Sequence, residues 1–247
     1  MRLLPCIAML AVLLAGCGSA PPRTDELDGV DVVLLGEIHD EADHQRHHLE
    51  VVQALAARGE LAALALEMAE QGRTTAGLPR DAHEDAVRAA LQWNDQAWPW
   101  QPYAPAVMAA VAAGVPVLGA NLPRGRMRAA MADASLDATL DAEALGAQLE
   151  AIRAGHCDLL PQRQLLPMVR VQIARDRAMA QTVAQAAQPG RRVVLLSGAG
   201  HADPMLGVPR HLPAVLVARP VLLQRSAGAV ARDYCAELRE QLPRSTP

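Results

Sequence analysis

Carboxylates and imidazoles do most of the acid–base and metal chemistry of proteins, and this chain gathers both at the ends of apolar runs. Gly36-Glu37-Ile38-His39 closes one run and Glu67-Met68 a second. Asn121-Leu122-Pro123-Arg124 closes a third, and Ser197-Gly198-Ala199-Gly200-His201 a fourth. A Glu at the end of an apolar run is costly to bury without a partner or a ligand. Glu37, His39, Glu67 and His201 together offer imidazole nitrogen and carboxylate oxygen, donors that suit a divalent zinc, iron or manganese ion. The same four could instead serve a hydrolase, holding a metal or activating water with a carboxylate as general base. For Glu67 and His201 the plainer alternative is a buried hydrogen-bonded pair that fixes the loops.

Half of the eight histidines lie within ten residues, His39 to His48. His44 and His48 are one helical turn apart and can share a face. His47 and His48 are adjacent and point about 100° apart, so both cannot face one site. These three either reach a ligand or form a polar helix start. No His-Glu-x-x-His or Cys-x-x-Cys pattern occurs, so the familiar zinc motifs are missing. The Gly-rich stretch at 197–201 lacks the Lys and spacing of a phosphate loop, and no Gly-x-Ser-x-Gly elbow is present. His83 and His211 carry no motif and read as surface residues.

The elements that must position these groups alternate. Short apolar, β-branched runs at 31–38, 61–68, 116–121, 191–200 and 213–219 read as buried strands. Helical periodicity marks 44–58, ended by Gly59, and also 81–92, 103–113, 123–133 and 141–154. The longest periodic stretch, 162–187, reads as one helix with a bend expected near Pro167. Strands alternating with helices predict an α/β fold, a parallel β-sheet flanked by helices with right-handed crossovers. In a parallel sheet the four polar strand ends share one edge, the carboxyl edge where open α/β folds bind ligands. The helical stretches 75–110 and 122–187 are long for simple crossovers and predict an additional helical cap.

Of the 247 residues, 51% are hydrophobic, enough for a sizeable core. The net charge is −4 and no basic patch points to nucleic acid. Lys and Phe are absent, a pattern attributed to codon bias, and Trp93, Trp98, Trp100 and Tyr103 cluster in the sequence. Met1-Arg2 followed by the apolar stretch Leu3–Leu14 reads as a signal peptide over 1–16, too short to span a bilayer. Leu14-Ala15-Gly16-Cys17 resembles a bacterial lipobox, making Cys17 the lipidated mature N-terminus and 17–30 a tether to a single domain over 31–247. Gly18 in place of Asp favours the outer membrane, facing the periplasm. Cys157 and Cys235 remain, and an oxidising compartment favours a disulfide between them over two buried thiols.

An ordered series of motifs adds a resemblance. Gly-Glu-Ile-His-Asp at 36–40 with His44 and His47 opens it, followed by Leu-Glu-Met at 66–68, Trp93 with Tyr103, and Asn121-Leu122-Pro123-Arg124. Gly155-His156-Cys157, Leu160-Pro161, Pro167-Met168, Gln172, Arg175-Asp176 and Met179-Ala180 follow, then Gly200-His201 and Gly207-Val208-Pro209. Together these resemble the ChaN family of haem-binding lipoproteins, linked to iron uptake and grouped with the Tiki proteins and erythromycin esterases. The resemblance implies a haem-binding protein rather than an enzyme, with Tyr and His axial ligands and two haems stacked in a homodimer. It also implies an outer-membrane haem receptor as partner. Only Tyr103 and Tyr234 could supply the tyrosinate, and Tyr103, in the Trp-rich segment, is the better placed. A packed core Tyr is the competing reading of Tyr103. The resemblance leaves the histidine open among His44, His47, His48 and His156, with Arg124 or Arg126 pairing with propionates. A divalent metal at Glu37, His39, Glu67 and His201 is the alternative cofactor.

Overall fold

The computed structural model describes residues 27–241 except 227 and 230. The expected signal peptide, Cys17 and most of the tether lie outside the described residues.

Five strands form one sheet in the order β3-β2-β4-β1-β5, and every pair is parallel. They are β1 (Val32–Glu37), β2 (Leu61–Glu70), β3 (Val117–Asn121), β4 (Arg192–Gly198) and β5 (Ala218–Leu222). The predicted α/β fold with a parallel sheet is thus what the chain adopts. Alternation sorts the central strands between two layers. Val33, Leu35, Leu64, Leu66, Val194 and Leu196 face one side, packed on α1 (Ala42–Ala57), α2 (Glu84–Leu91) and α3 (Ala104–Ala112). Val32, Leu34, Ala63, Ala65, Val193 and Leu195 face the other, against Met179, Ala180 and Val183 of α6 (Gln162–Ala186). Both faces are covered, so these strands read as unbroken apolar runs.

The expected helical cap is a third cluster. The N-terminal half of α6 packs Leu165, Val169 and Ile173 against Ala130 of α4 (Met127–Ala132), Leu136, and Ile152 of α5 (Ala142–Gly155). Pro167 lies inside α6, which continues through it. Two short elements complete the described chain, α7 (Ala199–Ala202) directly after β4 and α8 (Tyr234–Gln241).

The fifth strand departs from expectation. It starts five residues later and ends three later than the run 213–219, while Val215 and Val217 stand exposed in the preceding loop. Edge position explains the shift: β5 pairs with β1 alone and accommodates Pro220, which an interior strand would exclude. At the opposite edge Gly119 lets β3 pass the end of β2. A Cβ there would lie 2.0 Å from the Glu70 carbonyl oxygen. The β2–β3 register shifts between Leu66 and Glu70, an irregularity that changes the aim of the intervening side chains and includes Glu67.

After β5 the chain is tied across the loop that follows β1. Leu223 N–H donates to the Gly36 carbonyl at 2.9 Å, and Arg225 pairs with Glu41 and Asp40. Cys235 at the start of α8 is bonded to Cys157 behind α5, with Cα atoms 5.4 Å apart.

Candidate functional site at the carboxyl edge

Strand geometry brings the four expected residues to one edge. Glu37 is the last residue of β1, and His39 follows it by two. Glu67 lies at the irregular end of β2, and His201 in the short helix after β4. Their side chains pair off as Glu37–His39 and Glu67–His201.

Glu37 is buried and fully engaged. One carboxylate oxygen accepts from His39 Nδ1 and from the Tyr103 hydroxyl, each at 2.6 Å. The other accepts from Gln45 Nε2 at 3.0 Å and faces His48 Nδ1 at 3.5 Å. Burial raises the Glu37 pKa, but His39, His48 and Tyr103 outweigh it and hold the carboxyl below its ordinary range. The His39 side chain is 38% exposed and its ring meets Trp98 edge-on, with centroids 4.8 Å apart. Its Nε2 lies over Gly198, where a Cβ would come within 2.9 Å of that nitrogen and 3.6 Å of Glu67 Oε2. Burial opposes the charged His39 ring, but the hydrogen bond to Glu37 and the field of Glu67 leave its pKa raised.

Glu67 holds the second half together. It accepts from Gly198 N–H at 2.7 Å and from Arg175 at 2.5 Å, with His201 Nε2 3.4 Å away. Arg175 also donates to Asn121 at 3.0 Å, and Asn121 in turn donates to the Glu67 carbonyl at 2.8 Å. His201 Nδ1 bonds Asp176 at 2.5 Å, with the Gln172 amide 3.1 Å from the same nitrogen. Burial alone would discharge His201, but Glu67 and Asp176 outweigh it and push its pKa up to about 9. Burial likewise opposes the Glu67 charge, and His201 with Arg175 reverses this, so its pKa is lowered. Burial dominates at Asp176, whose pKa is raised. The result is a cationic imidazole and a guanidinium around one carboxylate, facing a carboxylate-backed imidazole across Gly198. Such an arrangement can hold an anion and move a proton.

Among the described residues no group of three or more His, Cys, Asp or Glu side chains is arranged to hold a metal ion. The expected metal set is therefore unsupported: His39 Nδ1 is bonded to Glu37, and His201 lies between Asp176 and Glu67.

The residues expected for haem are scattered. Tyr103 is buried against Trp93 and Trp98 with its hydroxyl given to Glu37. Burial and Glu37 raise its pKa, opposing a tyrosinate. His44 is spent on structure, accepting from Ile38 N–H and bonding the Gln224 carbonyl, both at 3.0 Å. His48 is 1% exposed with neither ring nitrogen hydrogen-bonded, and burial lowers its pKa to about 4 despite Glu37. His47 is buried, its Nε2 unpartnered. His156, half-buried at the end of α5, bonds the Ile152 carbonyl through Nδ1 at 2.8 Å. Its Nε2 has no partner among the described residues. Tyr234 is 45% exposed, stacked under Arg232 and bonded to Asp40. Arg124 and Arg126 are exposed, and Arg124 lines a cavity of about 400 Å³ with Trp98, Glu67 and Arg175.

Asp176, Arg175 and Gln172 complete the site without having been assigned a role from sequence. Asp176 did carry a signal. It falls on the buried stripe Val169, Ile173, Asp176, Ala180, Val183 of α6, where a carboxylate needs a partner.

Residues 24–212 match the family model described as haem-binding uptake, Tiki superfamily, ChaN. The chain belongs to that family. A solved structure described as cofacial haem binding to ChaN of Campylobacter jejuni is similar, with 24% identity and a TM-score of 0.61. That likeness covers 75% of this chain and 77% of the other, and it supports the fold. The type III effector HopBA1 aligns over 76% of this chain and 79% of its own, at 16% identity and a TM-score of 0.39. No curated protein matches the chain.

Proposed function

We propose that this chain is a haem-binding, lipid-anchored protein that faces the periplasm and serves haem or iron uptake. The observation that carries the haem reading is membership of the haem-binding uptake family across 24–212. The similar Campylobacter structure, described as binding haem cofacially, is in keeping with it, and a homodimer as the loaded form is part of the same proposal. The lipid anchor rests on Leu14-Ala15-Gly16-Cys17.

Haem, as cargo, brings an iron that needs an axial donor and two propionates that need cations. Tyr103 does not fit that need, because it is buried with its hydroxyl donated to Glu37, whereas Tyr234, though also bonded to a carboxylate, is exposed. His156 fits. Its Nδ1 is fixed by a main-chain carbonyl, which orients the ring and leaves Nε2 as the ligand nitrogen. Tyr234 is brought near by the disulfide, since His156 and Tyr234 directly precede Cys157 and Cys235. This pair would hold the iron, and exposed Arg124 would meet the propionates. The test is a hemin titration of the purified chain followed at the Soret band. A saturable shift is expected, weakened at least about tenfold in His156→Ala, with Tyr234→Phe changing the spectrum. The absence of any saturable shift would refute the reading. Incorporation of a labelled fatty acid that Cys17→Ala abolishes tests the anchor.

A second reading is favoured by His39 Nε2, held over Gly198 beside Glu67. There His39 would act as general base on water and Arg175 with His201 would hold an anionic ester or amide. Ester hydrolysis that disappears in His39→Ala supports this reading, and hydrolysis unchanged in that variant rejects it.

A further inference from the structure

A cavity of about 760 Å³ lies beside the carboxyl ends of β2 and β3, bordered by Gln71, Leu122 and Pro123, between α4, α6 and His211. It shares no residue with the Glu37–His39 or Glu67–His201 pairs. Its volume falls in the range of small-molecule sites. The lining is divided by chemistry. Ala130, Leu136 and Ala178 are buried and apolar. Arg126 and Arg177 are exposed on the rim.

Neighbouring arginines are paired: Arg170 with Asp137 and Arg210 with Asp141, both at 2.7 Å. Arg126 and Arg177 have no ion-pair partner among the described residues. The wall also carries a carboxylate, Asp133, one oxygen of which accepts from Ser135 N–H at 3.0 Å and Ser135 Oγ at 2.6 Å, while Ser135 and then the fields of Arg177 and Arg170 hold its pKa down. His211 also lines the groove, half-buried, and its Nε2 is buried without a hydrogen-bond partner. This corrects the expectation of a surface histidine. Burial, then Arg177 and Arg210, push its pKa down to about 4, so the ring is neutral near pH 7. Two exposed guanidinia, only one of them near a carboxylate, and a buried imidazole nitrogen with no hydrogen-bond partner thus border an alanine-rich floor.

We propose that this groove binds an anionic amphiphile, its carboxylate or phosphate head on Arg126 and Arg177 and its apolar body along Ala130, Leu136 and Ala178. A free fatty acid and a phospholipid headgroup share that chemistry, and the test separates them. The full chain is titrated calorimetrically with octanoate, with dihexanoylphosphatidylglycerol, and with octanol as the uncharged control. Saturable binding of one or both anions is expected. It should weaken about tenfold or more in the Arg126→Ala/Arg177→Ala double variant. It should also weaken in Ala129→Leu, which narrows the groove from its exposed wall. Octanoate binding alone assigns a fatty acid, and phospholipid binding assigns the membrane lipid. Binding of neither anion, octanol binding as tight as octanoate, or anion binding unchanged in the double variant would overturn the proposal.

Discussion

Replacing His201 by Gln should flatten the pH dependence of stability above neutrality. In the folded protein His201 holds its proton up to about pH 9, between Glu67 and Asp176, against an ordinary value of 6.5. Below pH 6.5 both folded and unfolded chains carry the proton, and the stabilisation is fully present. As pH rises from 6.5 to 9 the unfolded chain releases the proton while the folded chain keeps it, so stability falls. Each tenfold between the two values is worth about 1.4 kcal/mol, which puts the whole contribution at roughly 3 kcal/mol. His39, also raised, adds in the same direction. His48 and His211, both lowered to about 4, act oppositely and weaken the fold only as pH falls from 6.5 towards 4. Urea unfolding of the oxidised protein at pH 6.5 and 9 measures the difference. Wild type should lose roughly 2–3 kcal/mol, and the Gln variant much less. A wild-type stability that is level across this window, or a variant that keeps the full slope, would refute the electrostatic account of the site.

Two further outcomes follow from the packing. Gly119→Ala places a methyl group 2.0 Å from the Glu70 carbonyl oxygen, so the β2–β3 edge must move; a loss of about 3 kcal/mol or more is expected in thermal or urea melts, and an unchanged melt would contradict the geometry. Cys235→Ser opens a crosslink between residues separated by 78 in sequence, for an expected loss of about 4 kcal/mol and earlier proteolysis of the segment after β5, checked by limited digestion with mass spectrometry.

Apolar runs made the three interior strands legible, because a strand covered on both faces has no polar alternation to confuse it. The same rule misled at the sheet edge. Pro213–Arg219 is more apolar than Ala218–Leu222, yet hydrogen bonding to β1 and tolerance of Pro220 placed the strand later. The convergence of Glu37, His39, Glu67 and His201 followed from parallel topology alone. Which partners they take did not, because Arg175 and Asp176 arrive from a long cap helix whose docking no local pattern specifies. Tyr103 shows the reverse limit. Its aromatic neighbourhood was readable, but whether its hydroxyl faced solvent or Glu37 depended on how α3 packs against α1 and the sheet.

The strand order has a kinetic consequence. β4 lies between β1 and β2, yet it is the fourth strand in the chain. Until Arg192–Gly198 is available, β1 and β2 have no common partner, and both carry apolar sequence on each face. The sheet therefore closes by a late insertion at its centre, a step dominated by contacts far apart in sequence and slow for that reason. In the interval Val32–Leu35 and Leu61–Leu66 are uncovered, which makes the nascent chain a natural client for a holding chaperone.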